Sequence, residues 1–283
     1  MRRFKKIYFE ITDVCNLNCS FCHGTVRGKG FISVNDFRRA AGKLRPYSDY
    51  IYLHVMGEPL LHPALEEILS ACRGLDYKTA ITTNGTLLKE KGDMLISSGA
   101  LYKVSVSLHA PEANGISAAA VSDYLSEVCS FAQKAADSGI IVSLRLWNGG
   151  GQNRMNEDIE SELHRAFPGE YTENRRGLTL RKNVYLEYGE KFDWPDRSAD
   201  KRDVRFCMGL RDQIGVLFDG TVVPCCLDAD GSMPLGNIFT DEPEDILSSA
   251  KAKAIYDGFS NGHAAEELCR HCGYAEKFTK NGK

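Results

Sequence analysis

The first half of the chain alternates two kinds of pattern. Short apolar runs rich in Ile, Val and Tyr occupy residues 6–12, 50–55, 78–83, 102–108 and 140–147. Stretches with helical spacing lie between and after them, at residues 34–44, 63–72, 87–97, 118–138 and 155–166. Near-continuous apolar runs of this length suit strands covered on both faces, and helical spacing suits amphipathic helices that cover them. Ser33 with Asp36 three residues on gives the first helical stretch a capping-box-like start. Repeated strand–helix units predict a parallel sheet with right-handed crossovers, whose reactive loops lie at the carboxyl ends of the strands. A sixth strand is expected at 184–188.

The pattern then changes. Charged residues dominate 187–205, which reads as a linker. Beyond Cys207, Ile214-Gly215-Val216-Leu217-Phe218 and Thr221-Val222-Val223-Pro224 flank Asp219-Gly220, a hairpin signal. Helical stretches follow at 243–259 and 264–277. The expected organisation is a strand–helix domain at 1–190, a linker at 191–206 and a smaller hairpin-plus-helix domain at 207–283.

Bulk properties narrow the classes. With 43% hydrophobic residues the chain can build a substantial core, and a net charge of −3 gives no strong field for nucleic acid or anionic membrane. Arg2, Arg3, Lys5 and Lys6 precede the first strand, but no signal-peptide-length apolar segment follows them, and no run reaches transmembrane length. A cytoplasmic setting, where thiols stay reduced, is therefore expected.

The candidate chemistry lies first in Cys15, Cys19 and Cys22, in a loop directly after the first strand. Three thiols at this spacing can wrap one metal centre. A [4Fe–4S] cluster wants four ligands, so three would leave one iron open to a small molecule. A structural zinc site would normally close with a fourth ligand, and His23, adjacent to Cys22, is badly placed to supply it. A disulfide framework fits poorly, because three closely spaced Cys cannot all pair. The C-x3-C-x2-C spacing, with Phe21 before the last Cys, resembles the signature of the radical S-adenosylmethionine (SAM) enzymes.

That resemblance implies a partial (β/α)6 TIM-like barrel, an α/β fold, and it implies contacts to SAM. Met56-Gly57-Glu58-Pro59 resembles the family's Gly-Gly-Glu-Pro motif with Met56 in place of the first Gly, so Gly57, Glu58 and Pro59 would face the SAM amino group. Asn84, in Thr82-Thr83-Asn84-Gly85, would contact SAM or cap the next helix, two compatible roles. Ser107 would lie near the ribose, and the main chain of His23 near the adenine. Phe21 would shield the cluster. Arg145, a charge between apolar neighbours, needs a partner if buried. The SAM carboxylate and an internal salt bridge to a Glu such as Glu10 are the two candidates.

A second set of thiols follows: Cys207, Cys225, Cys226, Cys269 and Cys272. Cys269 and Cys272 form a C-x2-C pair, and Cys225 follows Gly220 at the hairpin's end. Cys207, Cys225, Cys269 and Cys272 could close a second [4Fe–4S] cluster; zinc is the rival. Cys225 is preferred over Cys226 from its spacing to Gly220. The layout resembles the Twitch domain, the shortened form of the SPASM domain, so one auxiliary cluster is expected. Cys72 and Cys129 fall within helical stretches and read as buried structural residues.

Together these resemblances imply a maturase- or oxidoreductase-type enzyme. It would cleave SAM reductively to a 5′-deoxyadenosyl radical that takes hydrogen from a bound peptide or small molecule, with the auxiliary cluster accepting an electron. An external one-electron reductant such as flavodoxin or ferredoxin is implied. The alternatives are an RNA-modifying relative and a non-catalytic iron–sulfur or zinc-stabilised binding protein. Arg175, Arg176, Arg181 and Lys182 could hold phosphate, although a solvated strand edge accounts for them as well. The Gly-rich loop 146–153, carrying Trp147, is the candidate substrate contact. Asp228 and Asp230 are candidate proton acceptors, with turn formation as the competing role.

Overall fold

The computed structural model describes residues 4–116 and 118–280; Arg2 and Arg3 lie outside the described residues. Five strands of the first half are β1 (Lys6–Phe9), β2 (Tyr50–Tyr52), β3 (Lys78–Thr83), β4 (Leu101–Ser107) and β5 (Ile141–Gly149). They are followed by β6 (Thr172–Asn174), β7 (Gly177–Arg181), β8 (Val184–Glu190), β9 (Gln213–Val216), β10 (Thr221–Val223) and β11 (Gly236–Asn237). The sheet order is β11-β10-β9-β1-β2-β3-β4-β5-β8-β7-β6, with two free edges. The sheet is therefore a partial barrel that does not close. β8 pairs in parallel with β5 and is the expected sixth strand.

Two pairings exceed the sequence reading. The hairpin β9–β10 is not a separate small sheet: β9 lies parallel to β1, with Lys6 opposite Gln213 and Phe9 opposite Val216. Without it β1 would present an unpaired edge of N–H and C=O groups. On the other flank, β6 and β7 form an antiparallel hairpin against β8. β6 is exposed along its length, so the basic segment at Arg175 and Arg176 runs along a solvated edge. The expected helix 243–259 is broken at Ser249, whose side chain accepts from Ala252 N–H and starts a new helix, Ala250–Ser260. The stretch 264–277 likewise splits into Glu267–Arg270 and Gly273–Lys280 around Cys272.

The two faces of the sheet differ in a way that matters for function. Outward-pointing Ile7, Phe9, Ile51, Ile81, Val104, Val106, Val142 and Leu144 are fully buried. Phe9, for example, packs edge-on against Phe37 of the helix Val34–Leu44 at 5.0 Å. Each such side chain contributes on the order of 1.5–3 kcal/mol. The alternate, inward-pointing positions include Lys6, Tyr8, Tyr52, Lys103, Ser107 and Arg145, which are polar and only half-buried. Cys72 and Cys129 are buried in helices, as a structural role requires. Among the described residues no helix is long and apolar enough to cross a membrane.

Candidate functional site

β1 ends at Phe9, and the chain leaves the sheet through Glu10 into the Cys loop. Glu10 is the tie point. Its buried carboxylate accepts from Arg27 Nη2 at 2.7 and 3.0 Å, from Met56 N–H at 3.1 Å and from Phe218 N–H at 3.3 Å. Burial pushes this carboxyl above its ordinary value, and Arg27 opposes the shift. Glu10 thus has Arg27 as its partner; the internal carboxylate expected near Arg145 is Glu187, not Glu10.

The segment Met56–Pro59 packs directly on the root of the Cys loop. Glu58 N–H donates to Val14 O at 2.8 Å. Gly57 has φ +75°, and a Cβ there would meet Thr12 O at 2.5 Å and the Asp13 carbonyl carbon at 2.8 Å. Both the positive φ and the closeness exclude a side chain. Gly57→Ala is expected to cost about 2–5 kcal/mol, from left-handed strain plus overpacking. Urea unfolding checks this; a loss under about 1 kcal/mol would show that the two loops are not packed as described. Glu58 itself is buried and clamps two strand ends, accepting from Asn84 N–H at 2.7 Å and Leu60 N–H at 3.1 Å. Pro59 opens the short 3-10 turn Pro59–Leu61.

Amide side chains face two of the three thiols. Asn114 Nδ2 lies 3.1 Å from Cys19 Sγ while its Oδ1 accepts from Asn18 N–H at 2.8 Å. Asn84 Nδ2 lies 4.0 Å from Cys15 Sγ and donates to Asn16 Oδ1 at 2.9 Å, while its Oδ1 accepts from Thr86 N–H. Asn84 therefore holds the Cys loop and closes a local turn with Thr86, but it does not cap the next helix, which starts at Leu88 with Leu87 at its N-cap and no side-chain cap. Burial raises the Cys15 and Cys19 thiols, and the sulfur of Cys22 adds to the shift in both. Among the described residues no three ligating side chains stand close enough to hold a single metal ion, but the amide N–H groups facing the Cys15 and Cys19 sulfurs are donors that thiolates bound to a larger cluster would accept.

The mouth beside this loop is open. A cavity of about 400 Å³ is lined by Phe21, His109, Trp147, Asn148 and Gln152 among others. Phe21 packs on His109 at 4.7 Å, and Ser20 Oγ donates to Gln152 Oε1 at 3.2 Å, so the loop 146–153 does reach the Cys loop. His23 stacks on Trp194 at 5.7 Å, and Trp194 Nε1 donates to Phe21 O at 3.0 Å. Ser107 stands on the inner face beside Arg145 in register. Arg145 lies over Trp147 at 4.4 Å, with Glu187 Oε2 3.9 Å from its Nε and Thr82 Oγ1 3.4 Å from Nη1.

The second thiol set converges on a cavity of about 220 Å³ whose walls include Lys6, Cys207, Cys225, Cys269, Cys272 and Met233. Burial pushes the Cys225 thiol well up, and the sulfurs of Cys207, Cys226, Cys269 and Cys272 reinforce it. Cys226 is outside this lining; Tyr8 O–H bonds to its sulfur, and burial still raises it to about 11. Four crowded thiols that are costly to ionise alone suit a multivalent cationic cluster that removes their protons on binding. Asp228 and Asp230 are engaged in structure. Asp228 accepts from Ser232 N–H at 2.7 Å and Met233 N–H at 2.8 Å. Asp230 accepts from Thr25 Oγ1 at 2.8 Å and Val26 N–H at 2.9 Å, tying the Cys loop's exit to the hairpin domain.

Asn114, His109 and Trp194 were not singled out by the sequence reading. Trp194, a lone Trp in a charged stretch, carried the one usable signal.

Comparison with known proteins agrees with this geometry. Residues 9–164 match the radical SAM superfamily, and residues 207–273 match the SPASM iron–sulfur cluster-binding domain. The antilisterial bacteriocin subtilosin biosynthesis protein AlbA of Bacillus subtilis is 23% identical over 94% of this chain and 65% of its own length. A probable GTP 3′,8-cyclase of Methanocella arvoryzae is 35% identical over 38% of this chain and 35% of its own length. The chain thus spans less than two thirds of these curated relatives. The crystal structure of BtrN in complex with AdoMet and 2-DOIA shares the fold with a TM-score of 0.65 and 20% identity, over 96% of this chain and 94% of that one. Streptococcus suis SuiB bound to the precursor peptide SuiA gives 0.63 and 15%, over 98% and 71%. The chain belongs to the radical SAM superfamily: it is an enzyme that uses a [4Fe–4S] cluster and SAM, and it carries a SPASM-type iron–sulfur cluster-binding domain after its partial barrel.

Proposed function

We propose that this enzyme oxidises a peptide or small molecule held inside the partial barrel. Cys15, Cys19 and Cys22 would hold the first cluster. Gly57, Glu58, Pro59, Asn84, Ser107 and the main chain of His23 would position SAM, and Cys207, Cys225, Cys269 and Cys272 would hold the auxiliary cluster. When bound, these groups supply a 5′-deoxyadenosyl radical that removes a hydrogen atom from substrate and an acceptor for the electron left behind. The chain's own contribution is placement. The Glu10 tie and the Gly57 contact fix the Cys loop, and Phe21, His109 and Trp147 line its open mouth, where a bound substrate would exclude water.

The observation that carries this reading is the course of β1. The Cys loop follows its carboxyl end, and Lys6 at its amino end lines the second thiol cavity. Tyr8, between them, faces the inner cleft and bonds to Cys226. A substrate in the cleft would lie between a radical source and an electron outlet. The substrate class draws support from the relatives, since AlbA is named for bacteriocin biosynthesis, SuiB was crystallised with a precursor peptide and BtrN with 2-DOIA.

Each turnover would take one electron from a flavodoxin- or ferredoxin-type donor, and the substrate would lose a hydrogen atom, an electron and a proton in total. The test is anaerobic reconstitution followed by incubation with deuterated candidate pools. Deuterium in 5′-deoxyadenosine, with a product lighter by two hydrogens, is the expected result. Absence of any reductive SAM cleavage in the reconstituted protein overturns the reading.

A further inference from the structure

The interior of a closed (β/α) barrel is packed by branched apolar side chains. This open barrel departs from that rule on one face only. The outward positions of β1, β2, β4 and β5 are apolar and sealed, while the inward ones carry Lys6, Tyr8, Tyr52, Lys103 and Arg145, all partly accessible to water. His54, just beyond β2, joins them and packs against Tyr8 and Tyr52 at 5.3 and 6.0 Å. Such a face builds a wet, polar cleft.

The charges in the cleft do not balance. Lys103 lies 3.3 Å from Glu187, Arg145 3.9 Å, and exposed Arg176 reaches the same carboxylate at 3.7 Å. Lys6 has no carboxylate at ion-pair distance among these; its Nζ sits over the Tyr8 and Tyr52 rings at 4.9 and 5.3 Å. Glu10, also on β1's inner side, is taken by Arg27, and Asp212 at the foot of the cleft is paired with Lys5. Lys103, Arg145 and the exposed Arg176 thus share Glu187, three cations to one carboxylate, while Lys6 sits between the two tyrosine rings and the second thiol cavity. Recessed charge in excess is costly unless a ligand neutralises it. Consistent with that cost, burial lowers the pKa of Lys6, Lys103 and Arg145; at Lys6 the Cys226 thiol opposes the shift and the neighbouring cations Arg145 and Arg176 add to it.

Unused donors point the same way. Arg145 Nε is buried without a hydrogen-bond partner, and so is His54 Nδ1. That Nε faces Glu187 Oε2, itself without a hydrogen-bond partner, across 3.9 Å, a gap beyond hydrogen-bond reach, so the guanidinium, braced over Trp147, is left unsatisfied by its carboxylate and is suited to a two-oxygen anion.

We infer that the substrate carries an oxyanion, a carboxylate or a phosphate, that docks in this cleft on Arg145 with Lys6 completing the site. The inference rests on the radical SAM oxidation proposed above and narrows its substrate class. In a peptide the group is an acidic side chain or the carboxyl terminus; in a small molecule it is a carboxylate or phosphate ester. The SAM carboxylate is the competing occupant of Arg145. Arg145 borders both regions: its guanidinium lies over Trp147 and its carbonyl meets His109, two residues that line the mouth beside the Cys loop, while Glu187, Tyr8 and Tyr52 around it belong to the cleft.

The experiment is calorimetric titration of the reconstituted enzyme, saturated with SAM, with inorganic phosphate and separately with acetate. At least one should bind, and the tighter of the two identifies the source of the oxyanion. Arg145→Gln should weaken that binding roughly tenfold or more, Lys6→Gln by a smaller factor, and Arg145→Lys should restore part of it. Neither anion binding, or binding that vanishes once SAM is present, overturns the inference; the second outcome gives Arg145 to SAM. Equal affinity in wild type and both Gln variants also overturns it. Reductive SAM cleavage by the wild-type preparation, measured in parallel, separates the cases: if that is absent the radical reading fails, and if it is present the cleft assignment alone is at stake.

Discussion

Cys19→Ala is expected to abolish reductive cleavage of SAM while the second iron–sulfur site stays loaded. Cys19 is the middle thiol of the three and the one least exposed. Its sulfur faces Asn114 Nδ2 at 3.1 Å, and its carbonyl accepts from Cys22 N–H at 2.9 Å. The backbone of the loop is therefore held by contacts that the substitution leaves in place: Glu58 N–H on Val14 O, Ser20 N–H on Ala113 O, and the packing at Gly57. What is lost is a ligand, not the loop. Two thiols cannot retain a cluster that three hold in an open-iron arrangement, so roughly four irons per chain should disappear. Iron analysis and quantitation of 5′-deoxyadenosine under reducing, anaerobic conditions measure both effects. Cleavage at a wild-type rate in Cys19→Ala would show that the first centre is not the site of SAM chemistry.

Much of this architecture was legible because its signals are local. Apolar runs of Ile, Val and Tyr marked five parallel strands, and Val184 began the sixth. Ser33 does cap its helix, accepting from Asp36 N–H at 3.0 Å. The pairing of β9 with β1 was not legible. Asp219-Gly220 announces a hairpin, but which edge it covers depends on residues about two hundred positions away. β6 and β7 escaped for the opposite reason: they are short and polar, stabilised by pairing to β8, with almost no burial of their own on β6.

The site shows the same division. Cys spacing and the Gly57–Pro59 segment are sequence-local and were read directly. The partner of Arg145 was not, because the sequence offers several carboxylates on inward-facing strand positions. Glu10 and Glu187 both qualify by alternation. Only the fold shows that Arg27, on the loop leaving the Cys motif, reaches Glu10 first, and that β8 brings Glu187 into register with Arg145. Asn114 follows a four-residue helix, Ala110–Ala113, and reads in isolation as an ordinary turn residue. Its relation to Cys19 arises from where the end of β4 meets the Cys loop.

The choice between adjacent Cys225 and Cys226 gives the second large effect. Successive residues leaving a strand point to opposite sides, and here the two sides are different environments. Cys225 follows β10 and enters the cavity shared with Cys207, Cys269 and Cys272. Its backbone is pinned nearby, since Pro224 O accepts from Leu210 N–H at 3.1 Å and Gly215 lies close beneath it. Cys226 turns toward β1, where Tyr8 O–H bonds to it and the Lys6 ammonium is the leading influence opposing its burial. Cys225→Ser should therefore remove roughly four irons per chain, while Cys226→Ser should keep them. The loss should also destabilise the hairpin domain, because the thiols of Cys207, Cys269 and Cys272 would remain crowded around an unfilled cavity, and metal binding to such a site is folding free energy. Metal analysis of both variants, with zinc measured alongside iron, decides the matter. Equal iron in wild type and Cys225→Ser, or loss confined to Cys226→Ser, would reverse the assignment. Stoichiometric zinc in anaerobically prepared wild-type protein would replace the electron outlet with a structural site. The radical would then still form at the first centre, but the electron left on the substrate would need another acceptor, and the reaction would be expected to end without net oxidation.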